Sequence, residues 1–186
     1  HLICVKKNWF KKEGITMGKY FGTDGFRGEA NVKLTADHAF KIGRYLGWFY
    51  NQNHKGRIVI GKDTRRSSYM LEYSIVAGIT ASGADAYMLH VTTTPSVSYI
   101  TRCDEFDCGV MITASHNPFY DNGIKLINSY GEKMDDYTQS LVEKYIVGEV
   151  EEFGFCIILR YHLSVLFGSD NFTAVRCRYC VIPGCV

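Results

Sequence analysis

The stretch Thr113-Ala114-Ser115-His116-Asn117-Pro118-Phe119-Tyr120-Asp121-Asn122-Gly123-Ile124-Lys125 crowds a hydroxyl, an imidazole and an ammonium into one connection. Ser115 falls just past an apolar run, where α/β sheets place their chemistry. A hydroxyl nucleophile with a cation nearby suits group transfer. A Ser-His hydrolase dyad is not expected, because the side chains of Ser115 and His116, as sequence neighbours, should point apart. There is no G-x-S-x-G elbow either. The plain alternative is a connecting loop, since Asn117-Pro118 and Asp121-Asn122-Gly123 are turn formers.

Two further loops carry polar groups that core packing does not require. Gly61-Lys62-Asp63-Thr64-Arg65-Arg66-Ser67-Ser68 joins a short apolar run to a helical pattern. Free N–H groups, the positive end of the helix dipole and three cations would converge there as an anion cradle. The alternative is a solvated, capped loop with Asp63 pairing an arginine. Phe21-Gly22-Thr23-Asp24-Gly25-Phe26-Arg27-Gly28 has glycines every third residue. That spacing is not G-x-G-x-x-G and follows no convincing strand, so a dinucleotide site is rejected. It reads either as a loop presenting Arg27 to an anion or as a turn ending in a surface arginine.

The elements that must hold these loops alternate. Thr35 is an N-cap for a helix to about Tyr50 with Ala39, Ile42, Leu46 and Phe49 on one face. A strand over 57–61 follows, then a helix capped by Ser67 or Ser68 and stopped at Ser82-Gly83. Further strands are expected over 84–91, 108–112 and 123–127, with a short helix from Thr94-Pro95 and a last helix over 135–147. The last two strands are too close for a helical crossover, so they should pair antiparallel. The pattern predicts α/β class: a three-layer α/β/α domain over 17–150 with a mixed, mostly parallel sheet.

The chain has 186 residues, 46% hydrophobic and 22% charged, with a net charge of +2. That suits one globular domain and excludes long disorder and disulfide-dense scaffolds. Near-neutral charge gives no case for a nucleic-acid or membrane-surface partner. The apolar run over 153–159 is too short to span a bilayer. Residues 1–16 carry Lys6, Lys7, Lys11 and Lys12 but no secretory apolar stretch. Lys11-Lys12-Glu13-Gly14 back-translates to a purine-rich run upstream of Met17, so 1–16 is expected to be a non-native leader read from untranslated sequence. Of the 19 acidic residues only Asp170 lies beyond Glu152, where Cys156, Cys177, Cys180 and Cys185 gather. This Cys-rich tail, 151–186, is expected to come from a shifted reading frame. Cys177 and Cys180 lack the second ligand pair of a structural zinc site. Seven cysteines without a signal peptide fit a reducing cytoplasm.

The three loops, in this order and spacing, resemble the first domain of the α-D-phosphohexomutases. The resemblance covers about 17–150. It implies phosphoryl exchange between the 6 and 1 positions of a phosphosugar, through a phosphoserine and a bisphosphorylated sugar that also primes the enzyme. Ser115 would be that phosphoserine. Lys125 would supply charge and handle the proton, Arg27 would supply charge, and His116 would orient loop or substrate. Arg65, Thr23 and Asn117 fall among the family's phosphate- and substrate-binding positions. The family's Mg²⁺ would be held by the Ser115 phosphate and by aspartates of a second domain that this sequence does not contain. The phosphosugar and domains II–IV are the implied partners, so the chain alone is not expected to be a competent mutase. Glucosamine 6-phosphate is the expected substrate. A glucose or mannose phosphate, or a non-catalytic phosphosugar-binding role, stays open because the sugar-reading loop is absent.

Overall fold

The computed structural model describes residues 20–149. Expectations for 1–16 and for the tail with its cysteines lie outside the described residues. Within them the order is β1 (Phe21–Gly22), β2 (Gly25–Glu29), α1 (Ala36–Tyr50), β3 (Arg57–Lys62), α2 (Ser67–Ala81), β4 (Asp85–Val91), α3 (Thr94–Cys103), β5 (Cys108–Ile112), β6 (Asp121–Asn128) and α4 (Asp136–Ile146). The strands form one sheet in the order β1-β2-β6-β5-β3-β4.

Alternation along the strands sorts side chains to two faces. Ile58, Ile60, Val110, Ile112, Ile124 and Leu126 join the larger core with α1, α2 and α4. Val59, Met111 and Ile127 face the other way, onto Val97 of α3. The result is a three-layer α/β/α fold. Helices α1 and α2 pack closely because glycines sit at their crossing: a Cβ on Gly43 would lie 2.2 Å from the Ile75 carbonyl oxygen, and one on Gly78 2.2 Å from that of Phe40.

Local chemistry sets the helix starts. The Thr35 hydroxyl accepts from the His38 N–H, and the His38 ring accepts from the Thr35 N–H, closing a capping box around α1. Thr93 and Asp135 cap α3 and α4 by accepting from the Ser96 and Thr138 N–H groups, without the reciprocal bond. At α2 the expected serine cap is corrected. Arg66 is the N-cap and offers no side-chain bond. Ser68 instead donates its hydroxyl to Asp63, and both serine hydroxyls accept from the Asn122 amide.

The sheet is mixed, with β5 and β6 antiparallel as expected. Its parallel share is smaller than expected: β3 pairs parallel with β4 and β5, and the other three pairings are antiparallel. The difference comes from 21–29, which the sequence does not mark as strand but which forms a hairpin on β6. Gly25 makes the tight turn possible. Its φ is +86°, and a Cβ there would lie 2.4 Å from the Ile124 carbonyl oxygen. The hairpin sets Arg27 directly opposite Gly123.

Candidate functional site

β3 and β5 run parallel side by side, with Lys62 opposite Ile112, so the loops following both strands emerge together. Backbone and side chain then tie them: Asp63 N–H donates to the Ile112 carbonyl at 3.0 Å, and the Thr113 hydroxyl donates to Asp63 at 2.8 Å. The same hydroxyl oxygen accepts from the Ser115 N–H at 3.0 Å. Ser115 is exposed and has φ of +56°. For a residue with a Cβ that conformation costs about 1–2 kcal/mol, so the surroundings must impose it.

Arg65 imposes it. Its Nε donates to Asp63 Oδ2 at 3.0 Å, Nη1 to the carbonyls of Pro118 at 2.5 Å and Asp121 at 3.0 Å, and Nη2 to those of Ser115 at 3.0 Å and Asn117 at 2.8 Å. A guanidinium has five N–H groups, and all five are engaged. The anion cradle expected at 61–68 is therefore corrected on two counts. Arg65 has no N–H left for a phosphate and shapes the Ser115 loop instead. Lys62 alternates to the opposite face, where it is 1% exposed, bonded to Glu72 at 2.5 Å and set 3.2 Å from the Tyr69 ring centroid. The alternative reading, Asp63 pairing an arginine, describes the loop better.

Ser115 and His116 do not point fully apart. The Ser115 hydroxyl lies 3.5 Å from His116 Nδ1, at the outer limit of a hydrogen bond. The left-handed turn at Ser115 brings the two side chains round to one side. Asn117 accepts from Arg27 Nη1 at 3.4 Å and donates to Asp121 at 3.0 Å. Arg27 is 19% exposed and reaches the Asp24 carboxylate at 3.4 Å, while its buried Nε has no partner among the described residues. It is thus a half-buried, loosely matched cation beside the Ser115 loop, not a surface arginine.

Ser115, Asn117 and Arg65 line a cleft of about 870 Å³. Thr23 and Lys125 line a separate, smaller cavity of about 210 Å³ with Thr94 and Ser98. Lys125 stands opposite Met111, two residues along β6 from Gly123, and so shares a sheet face with Arg27. Its ammonium has no ion pair or hydrogen bond among the described residues.

For Mg²⁺, no group of three or more His, Cys, Asp or Glu side chains suitable for a metal occurs among the described residues. Two carboxylates that hold the Ser115 loop are occupied: Asp63 accepts from Arg65, Ser68 and Thr113, and Asp121 from Asn117. These residues do not by themselves fit the ion. Among the described residues no helix is long and apolar enough to cross a membrane.

Of this arrangement, sequence reasoning read Asp63 only as an arginine's partner, and it missed the role of Asn122. Asp63 is the hub, and the signal was present, because Asp63 Oδ1 accepting from Arg65 N–H at 3.0 Å is the Asx-turn that Asp two residues before a loop arginine favours. Asn122, fully buried, ties β6 to the start of α2 and also accepts from Gly123 N–H. Nothing local distinguishes it from a turn former.

Residues 18–152 match the family description "Phosphoglucomutase/phosphomannomutase, alpha/beta/alpha domain I". The chain is 64% identical over 166 residues to the phosphoglucosamine mutase of Lachnospira eligens, covering 88% of this chain and 36% of that protein. It is 66% identical over 139 residues to the phosphoglucosamine mutase of Lachnoclostridium phytofermentans, covering 75% of this chain and 31% of that one. It thus spans about a third of the length of these relatives. Among solved structures, a phosphoglucomutase/phosphomannomutase family protein from Burkholderia thailandensis superposes with a TM-score of 0.57 at 26% identity, covering 68% of this chain and 29% of that one.

Proposed function

The chain belongs to the phosphoglucomutase/phosphomannomutase family through its α/β/α domain I, and from that membership we propose that residues 17–150 are the phosphoserine domain of a phosphoglucosamine mutase. Ser115 is the residue that carries the phosphoryl group. The observation that bears most weight is its loop: an exposed serine held left-handed past the end of β5, with four surrounding carbonyls gripped by Arg65. A connection that only joined two strands would not need such a clamp. The names of the two relatives support glucosamine 6-phosphate as the sugar.

In the proposed first step, the sugar's O1 oxygen bonds to phosphorus as the Ser115 Oγ–P bond breaks. The Lys125 ammonium gives a proton to the departing serine oxygen and the sugar hydroxyl's proton restores that ammonium, leaving a bisphosphorylated sugar. In the second step the O6 phosphoryl group returns to Ser115, the serine proton passes back to O6, and glucosamine 1-phosphate leaves. The transition state spreads negative charge over the equatorial oxygens, so positioned cations matter more than covalent chemistry. Arg27, with its unmatched Nε, supplies such charge beside the loop. His116, close to the Ser115 hydroxyl, orients it. Thr23, beside Lys125, contacts the sugar, and Arg65 and Asn117 act by positioning the loop. The full cycle requires Mg²⁺ and domains II–IV, and the cell compartment is the cytoplasm.

Incubating the 186-residue chain with ³²P-labelled glucosamine 1,6-bisphosphate tests the first half. Label is expected on Ser115 and absent in Ser115→Ala. A folded wild-type chain that takes no label overturns the proposal, and faster labelling from glucose or mannose bisphosphate redirects the sugar assignment.

A further inference from the structure

Phe119 and Tyr120 occupy the two central positions of the turn closed by Asp121 N–H donating to the Pro118 carbonyl at 3.1 Å. Small or polar residues suit such positions. Here two aromatic rings stand edge to face, 5.5 Å between centroids and 74° between planes. Phe119 is 86% exposed and Tyr120 52%. Apolar surface left in water contributes little to folding, and adjoining exposed apolar groups mark ligand grooves.

The pair is held rigid and beside the chemistry. Arg65 bonds the carbonyls at both ends of the turn, and the Tyr120 carbonyl accepts from Ala30 N–H at 2.9 Å. Both aromatics line the cleft that contains Ser115, together with Arg66, whose guanidinium has no partner among the described residues. The cleft lining thus combines the aromatic pair with the Arg66 cation, beside the carboxylates of Glu29 and of Asp63, the latter already bonded to Arg65. A phosphorylated pyranose matches the pair and the cation: its ring presents an apolar face of C–H groups, and its phosphate is a compact anion. Binding sites of this kind combine apolar walls with a few placed polar groups.

We propose that Phe119 and Tyr120 form the surface on which the sugar ring packs while the phosphate lies toward Arg66. This rests on the phosphosugar reading of the same site, and it assigns ring packing to residues of this domain.

The test compares wild-type chain with Phe119→Ser, Tyr120→Ser and the double variant, with circular dichroism checking the fold. Each is titrated with glucosamine 6-phosphate and with inorganic phosphate, and saturation-transfer NMR follows the sugar ring protons. The expected result is glucosamine 6-phosphate binding weakened roughly three- to tenfold in the double variant, with phosphate affinity unchanged and transfer to the ring protons lost. Unchanged glucosamine 6-phosphate affinity, equal loss for both ligands, or binding of neither by the wild type overturns it. The first outcome would mean that another part of a longer protein covers the aromatic pair. Labelling of Ser115 by the bisphosphosugar stands independently, so its persistence beside any of these results refutes ring packing alone.

Discussion

Replacing Arg65 by lysine should loosen the Ser115 loop without unfolding the domain. The guanidinium makes five contacts at 2.5–3.0 Å, four of them to loop carbonyls. An ammonium has three donors and no planar fork, so at least two acceptors lose their partner. A hydrogen bond to a charged group is worth about 1.5–3 kcal/mol. The site is partly open, with Arg65 13% exposed, so water replaces some of that loss. A net penalty of about 2–3 kcal/mol for the closed loop is reasonable, or roughly 30- to 150-fold in its opening equilibrium. Hydrogen exchange reads this directly. The Asn117 and Asp121 amides, bonded to the Ala114 and Pro118 carbonyls, should lose protection by that factor. Amides of α1 should keep theirs, and labelling of Ser115 should slow in parallel. Arg65→Ala should be worse than Arg65→Lys. Wild-type exchange at both amides in Arg65→Ala would refute the clamp and return the loop to a connection held by its own turns.

Lys62 and Glu72 form a buried ion pair, with exposures of 1% and 0%. Glu72→Ala should cost about 3–5 kcal/mol in urea denaturation, whereas Lys62→Met with Glu72→Leu should be close to neutral, because removing both charges leaves none stranded. Gly78→Ala should destabilise by about 1–3 kcal/mol through forced separation of α1 and α2, measured as a lower Tm. Burial pushes the Tyr45 and Tyr50 hydroxyls and the Cys108 thiol above their ordinary values. The folded state then holds protons that the unfolded chain releases, so stability is fully present below the unfolded values of about 8.5 for cysteine and about 10 for tyrosine and falls as pH rises beyond them. Stability curves from pH 7 to 11 should bend down accordingly, less so in Tyr50→Phe.

Helices α1, α3 and α4 were legible because their signals are local: Thr35 caps α1 above a recurring apolar face, Thr94-Pro95 opens α3, and α4 starts close to Asp135. Strands β3 to β6 were legible as short apolar runs between turn formers. The 21–29 hairpin was not. Its strands are short, its alternation is masked by glycine, and its stability comes from pairing with β6, nearly a hundred residues away in sequence. The serine cap of α2 failed for a related reason, since the hydroxyls of Ser67 and Ser68 are taken by Asn122, more than fifty residues away, and that of Ser68 also by Asp63 in the same loop.

The sequence by itself determined which side chains sit near Ser115 along the chain, and that the domain is three-layered α/β/α. Only the tertiary structure decided how the cations divide. Strand alternation turns Lys62 away to Glu72, the parallel pairing of β3 with β5 brings Arg65 under the Ser115 loop, and the hairpin lays Arg27 beside Gly123. A charge in a loop can be read from one line of sequence. Whether it faces a substrate, a backbone carbonyl or a buried carboxylate depends on elements far apart in the chain, because its partners are settled only when strands pair and helices pack.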